Sequence, residues 1–137
     1  MPSTRTRSFH ARRGQWPDVL TFVESAVEGM DDRLVTKLRL AIEELFLNTL
    51  THGHGGDTDA PVEVTVGVDG DRVVLIYVDA APPFDPFAAV ESPDPAASLE
   101  ARSVGRLGVF LITALAARCD YARTGDRNRI TVELRGA

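Results

Sequence analysis

The sequence predicts an α/β two-layer sandwich, a mostly antiparallel mixed sheet with its helices on one face. Three observations predict it. Apolar residues recur at three- and four-residue steps in "GQWPDVLTFVESAVEGM" and "DDRLVTKLRLAIEELFLNTLTHG", the period of helices that bury one stripe. Several other stretches alternate apolar and polar residues, the period of a half-buried strand. Most of those strands are joined by short turns rather than by helices, so the βαβ alternation of a doubly wound fold is missing.

The elements follow in order. Residues 4–10 alternate small polar and charged side chains up to Phe9 and read as an edge strand blunted by arginine. In the first helix Trp16, Val19, Leu20, Val23 and Val27 share a face, Pro17 suits the first turn and Gly29 a stop. Trp16 reads as a core or staple residue. The second helix is capped by Asp31 or Asp32 and ends at Gly53, with Val35, Leu38, Ile42 and Leu45 as its buried stripe. "PVEVTVGVDGDRVVLIYVDA" is a hairpin turning at 69–71. Residues 80–103 hold five prolines. A loop of that length in a small domain is functional or disordered. "VGRLGVFLITALAARC" is a third helix opened by glycines, and "DYARTGDRNRITVELR" a second hairpin turning at "TGDRN".

With 137 residues the chain reads as a single domain, 1–137, large enough for a proper core. Its 44% hydrophobic and 26% charged residues are ordinary for a globular protein. The net charge of -5 argues against a dedicated nucleic-acid binder. The single cysteine, Cys119, allows no intrachain disulfide and fits a reducing cytoplasm. No apolar run is long enough to span a bilayer. The basic start lacks the apolar centre of a secretory signal, and it alternates like a strand rather than like a transit peptide.

Glu44, Asn48 and His52 stand at four-residue steps in the most hydrophobic stretch of the second helix. At 3.6 residues per turn they share a face about 80° wide. A solvated polar strip is the plain reading. Against it, asparagine competes for backbone hydrogen bonds inside helices. The strip is also flanked by Leu40, Leu47 and Thr51 rather than by charges. A carboxylate and an amide on such a wall are hard oxygen donors that suit Mg²⁺. A zinc site at His52 and His54 lacks further ligands at metal spacing, since His10 and Cys119 fit no pattern. Asp79 closes an apolar strand. Gly105 and Gly108 sit where a loop becomes a helix, a place where backbone N–H groups can approach phosphates.

Each signal is weak alone. Together, in this order, they resemble the GHKL ATPase superfamily, and within it the small anti-sigma factor serine/threonine kinases. "AIEELFLNTLTHG" is similar to the family's Asn-containing box, "VDAAPPFDP" to its first glycine-bearing box, and "GRLGVFLI" to its second. The resemblance implies ATP and Mg²⁺ as cofactors, Glu44 as the general base, and Asn48 as the metal ligand, with His52 nearby in the pocket. It implies Asp79 as acceptor of the adenine amino group, Ala81 and Phe84 in the adjoining box, and Gly105, Arg106, Leu107, Gly108 and Val109 as the phosphate loop. Thr131 would support the adenine through water, and residues 85–103 would be an ATP lid. The implied partners are a STAS-type antagonist protein, phosphorylated on serine or threonine, and a sigma factor held inactive; a homodimer is also allowed. Neither nucleic acid nor membrane is implied. In one departure, Ala81 stands where the family has glycine. If that position needs φ > 0, alanine costs about 1–2 kcal/mol. A regulatory module that binds nucleotide without phosphorylating a partner is the alternative that Ala81 favours. The catalytic half of a histidine kinase is disfavoured, because a dimerisation and phosphoacceptor region is absent from the 137 residues.

Overall fold

The computed structural model describes residues 2–87 and 112–136. Strand β1 (Ser3–His10) leads through a 3-10 turn into helix α1 (Trp16–Ala26), followed by α2 (Asp32–Asn48) and a π-helical turn (Thr49–Gly53). Strands β2 (Pro61–Asp69) and β3 (Arg72–Asp79) form one hairpin, β4 (Arg118–Thr124) and β5 (Arg127–Arg135) the other. The five strands lie in the order β1-β2-β3-β5-β4, and every neighbouring pair is antiparallel. The expected sandwich is therefore present, with no parallel pair among the described strands.

Local chemistry accounts for the element ends. Pro17 lies in the first turn of α1, where its missing N–H removes no bond. Asp31 caps α2, its carboxylate accepting from the Arg33 N–H at 2.8 Å. Gly70 and Gly125 hold φ of 62° and 59° at the two hairpin turns, a region that side chains disfavour.

The helices cover one face of the sheet. Val62, Val64 and Val66 of β2, Val73, Leu75 and Tyr77 of β3, and Ile130, Val132 and Leu134 of β5 all point into that layer. They meet Val19 and Val23 of α1 and Leu38, Ile42 and Leu45 of α2. Trp16 stacks on Phe46 at 5.9 Å and Phe22 meets Phe9 edge-on at 5.9 Å, so the tryptophan is a packing residue, as read from the sequence.

Two expected boundaries are corrected. The second helix does not run as an α-helix to Gly53. It changes pitch after Asn48, where the His54 N–H reaches the Thr49 carbonyl at 3.0 Å, five residues back. The third helix does not reach Cys119. Its described end is at 112–115, the Ala117 N–H already bonds the Glu133 carbonyl of β5 at 2.8 Å, and Cys119 belongs to β4. Residues 104–111 of that helix lie outside the described residues.

Candidate nucleotide-binding site

Two walls meet at one end of the sheet. The first is the last turns of α2. Glu44 is half-buried and Asn48 is 9% exposed. The helix period carries one above the other. Among the described residues neither side chain makes a hydrogen bond or an ion pair. Burial pushes the Glu44 carboxyl above the ordinary 4.5, and the neighbouring Glu43 charge adds to the rise. The four-residue step does not continue to His52, because a π turn closes over five residues rather than four. The His52 side chain lies outside the described residues.

The second wall is the end of β3. Asp79 points inward beside Tyr77, two residues earlier on the same face, and is 6% exposed. Its Oδ2 accepts from the Thr49 hydroxyl at 2.8 Å. Its Oδ1 accepts from the Asn128 side-chain amide at 2.9 Å and from the Ala81 N–H at 3.3 Å. The Thr49 hydroxyl also lies 2.6 Å from the Tyr77 phenol and 3.1 Å from the Leu45 carbonyl. Burial holds that phenol protonated, well above the ordinary value, with the Asp79 charge adding to the rise against the Thr49 hydrogen bond. Tyr77 therefore donates to Thr49, and Thr49 spends its one hydrogen on the carboxylate, the strongest acceptor within reach. A carboxylate has about four lone-pair positions. Three are taken, which leaves one on Oδ2. The group that fits there is a donor, such as the exocyclic amine of a purine.

Asn128 of β5 is the register partner of Asp79 and 2% exposed. Besides Asp79, its Nδ2 donates to the carbonyls of Ala81 at 3.2 Å and Pro82 at 3.0 Å. Its Oδ1 accepts from the Tyr121 hydroxyl at 2.6 Å, the Phe84 N–H at 3.3 Å and the Arg123 guanidinium at 3.3 Å. Arg123 also donates to the Ala81 carbonyl at 2.8 Å.

Thr131, expected near the base, is corrected. It faces away from Asp79. Side chains alternate along a strand, and on β5 Asn128, Ile130, Val132 and Leu134 take the covered face. Thr131 sits on the open face, opposite Ile76 and Asp120. The polar residue beside the acid is Asn128, three positions earlier.

The departure at Ala81 is also resolved. Among the described residues every residue with positive φ is a glycine, so Ala81 carries no left-handed strain. Its buried methyl fills the space above Gly53, where a Cβ would come within 2.8 Å of it. Phe84 is 46% exposed beside the same loop. Of the expected lid, residues 85–87 are described. The Asp85 carboxylate accepts from the Phe87 N–H at 2.8 Å, and Phe87 packs against the core. The rest of the lid, with Gly105, Arg106, Leu107, Gly108 and Val109, lies outside the described residues.

The donor set fits an adenine nucleotide with a hard cation. Asp79 offers an acceptor at the buried end, and the oxygens of Glu44 and Asn48 offer unshared ligands at the other. No three His, Cys, Asp or Glu side chains gather as a metal cluster among the described residues. Mg²⁺ bound here would take one or two of these oxygens, with phosphate and water completing its shell. Sequence reasoning missed Thr49, Tyr77, Asn128 and Arg123. Strand parity exposes Tyr77 and Asn128, which take inward positions beside Asp79 and Ile130.

The five-stranded antiparallel sheet with its helices on one face is the fold of a GHKL-type ATPase domain. The family model of the histidine kinase-like ATPase domain matches residues 9–134, and the chain belongs to that family. Among solved structures, the Acinetobacter baumannii histidine kinase AdeS is similar, with a TM-score of 0.52 at 16% identity over 96% of this chain and 67% of that one. At that identity the likeness is one of fold. No curated protein matches the sequence. No described helix is long and apolar enough to cross a membrane.

Proposed function

We propose that the protein is an ATP/Mg²⁺-dependent serine/threonine kinase of the anti-sigma type. Its substrate would be a STAS-type antagonist protein, and its second partner a sigma factor that it sequesters. The observation that carries the reading is the division of labour between the two walls. A carboxylate with three positions bonded and one left open suits base recognition. A half-buried carboxyl with a raised pKa, one turn from an unshared amide, suits proton abstraction beside a metal. When bound, the metal nucleotide supplies the phosphoryl group and neutralises its charge.

The chain's own residues do the remainder. Glu44 accepts the proton of the attacking serine or threonine hydroxyl. Asn48 offers its amide oxygen to the cation. Asp79 accepts a hydrogen bond from the base, held in place by Thr49 and Asn128. The identification of the acceptor as serine or threonine, rather than histidine, rests on the resemblance of the three boxes to the small anti-sigma kinases. The test is incubation with labelled ATP, Mg²⁺ and a STAS-domain protein from the same genome. Phosphate on a serine or threonine of that protein supports the reading. Nucleotide binding without transfer to any STAS protein would leave a regulatory nucleotide-binding module instead.

A further inference from the structure

Asn128 lies outside the residues that the family resemblance picks out, yet its side chain carries more hydrogen bonds than any other in the site. It has two N–H hydrogens and faces three acceptors, the Asp79 carboxylate and the carbonyls of Ala81 and Pro82. Its oxygen faces three donors, from Tyr121, Arg123 and the Phe84 backbone. Only an amide supplies both sides. A carboxylate would set oxygen against three acceptors, and a hydroxyl could not span both groups. The opposite amide orientation would put nitrogen against donors and oxygen against acceptors, so the network fixes the assignment.

Its partners are also informative. Four of them belong to one stretch, Asp79 to Phe84, which leaves β3 and enters the loop before residue 85. That stretch contains Pro82 and Pro83, which have no N–H with which to anchor themselves. Side chains of the β4–β5 hairpin anchor it, with Arg123 adding a second bond to the Ala81 carbonyl, while Thr49 holds its Asp79 end.

We infer that Asn128, assisted by Arg123, is a positioning residue for base selectivity: it fixes the Asp79 carboxylate and the 81–84 backbone as one unit, so that a single acceptor position is open to the purine. This rests on the proposed adenine nucleotide reading, but its first consequence does not need a ligand. Ala81 and Phe84 carry the only two amides in 81–84, and both donate within this network.

The test uses the full chain with two variants. Asn128→Asp is isosteric, opens no cavity, and turns the donor side into an acceptor. Arg123→Ala changes an exposed side chain, so folding is preserved. Amide hydrogen exchange without ligand should quicken at Ala81 by at least tenfold in Asn128→Asp, where the Phe84 N–H keeps an oxygen acceptor, and at both amides by a few-fold in Arg123→Ala, with β2 unchanged. ADP and IDP are then titrated; IDP has a carbonyl where adenine has its amine. Wild type should prefer ADP by about 10–100-fold, the worth of a hydrogen bond to a charged group. In Arg123→Ala the preference should shrink two- to five-fold with little change for IDP. Unchanged exchange at both amides overturns the inference. So does an equal loss of ADP and IDP affinity, which would mean a merely structural role. If wild type binds neither nucleotide while the two amides still loosen, the anchoring stands. The selectivity role then falls, together with the kinase reading.

Discussion

The two walls of the pocket are built in opposite ways. At the end of β3 nearly every polar atom is bonded within the protein: Tyr77 to Thr49, Thr49 to Asp79, Asp79 to Asn128. On α2, Glu44 and Asn48 have no bonding partner among the described residues. The bonded wall is rigid and leaves one acceptor position open. The unbonded wall keeps its oxygens for groups that arrive from outside. On the proposed function, recognition falls to the bonded wall and chemistry to the unbonded one, and a substitution should reveal which wall it belongs to.

The largest effect is expected from Glu44→Gln on the unbonded wall. It keeps the side-chain size and removes the base, so phosphate transfer should fall by about 10²–10⁴-fold while ADP affinity stays near wild type. Single-turnover transfer from labelled ATP checks it; equal rates would remove Glu44 from the chemistry. Asn48→Ala should abolish most of the Mg²⁺ dependence of ATP binding, on the order of tenfold, read from titrations with and without the metal. An unaltered metal dependence would detach the cation from α2.

The contact between the walls gives a stability prediction. Gly53→Ala drives a methyl to 2.8 Å from that of Ala81, and neither has a flexible end to swing away. The variant should lose about 1–3 kcal/mol in urea unfolding, as overpacked sites do. Adding Ala81→Gly should return most of it, and strict additivity of the two changes would contradict the contact.

The smallest effect is in pH. Glu44 must be ionised to act as a base, and its carboxyl is raised above 4.5. The acid limb of kcat/KM should therefore fall at a higher pH than for an exposed glutamate. For stability the sign is set by proton uptake. In the window just above 4.5 the folded state binds more protons than the unfolded one, so stability declines as pH rises through it. Glu44→Gln should flatten that decline.

Much of this site was legible in the sequence because its parts are local. Glu44 and Asn48 announce themselves by helix period, and Asp79 by ending an apolar strand. The π turn after Asn48 was not legible. Thr49, its first residue, bonds across to Tyr77 and Asp79, about thirty residues away, and no local period records such partners. Thr131 and Asn128 were separable in principle. Counting by twos from Val132 puts Asn128 inward and Thr131 outward, and the register then sets Asn128 against Asp79. Ala81 departs from the glycine of the family pattern. The backbone there does not take positive φ, so the alanine carries no left-handed strain.

On the proposed function, Asp79 receives the amine of an adenine. Asp79→Asn tests it most directly, because the size is kept and one acceptor oxygen becomes a donor. The Thr49 hydroxyl can turn to the Leu45 carbonyl, 3.1 Å away, and accept from the new amide, while Asn128 keeps its acceptor. The open position then presents N–H in place of oxygen. Calorimetric titration with ADP and IDP should show ADP weakened by about 10–100-fold and IDP unchanged or tighter, reversing the preference. An Asp79→Asn protein that still prefers ADP as wild type does would remove Asp79 from base recognition.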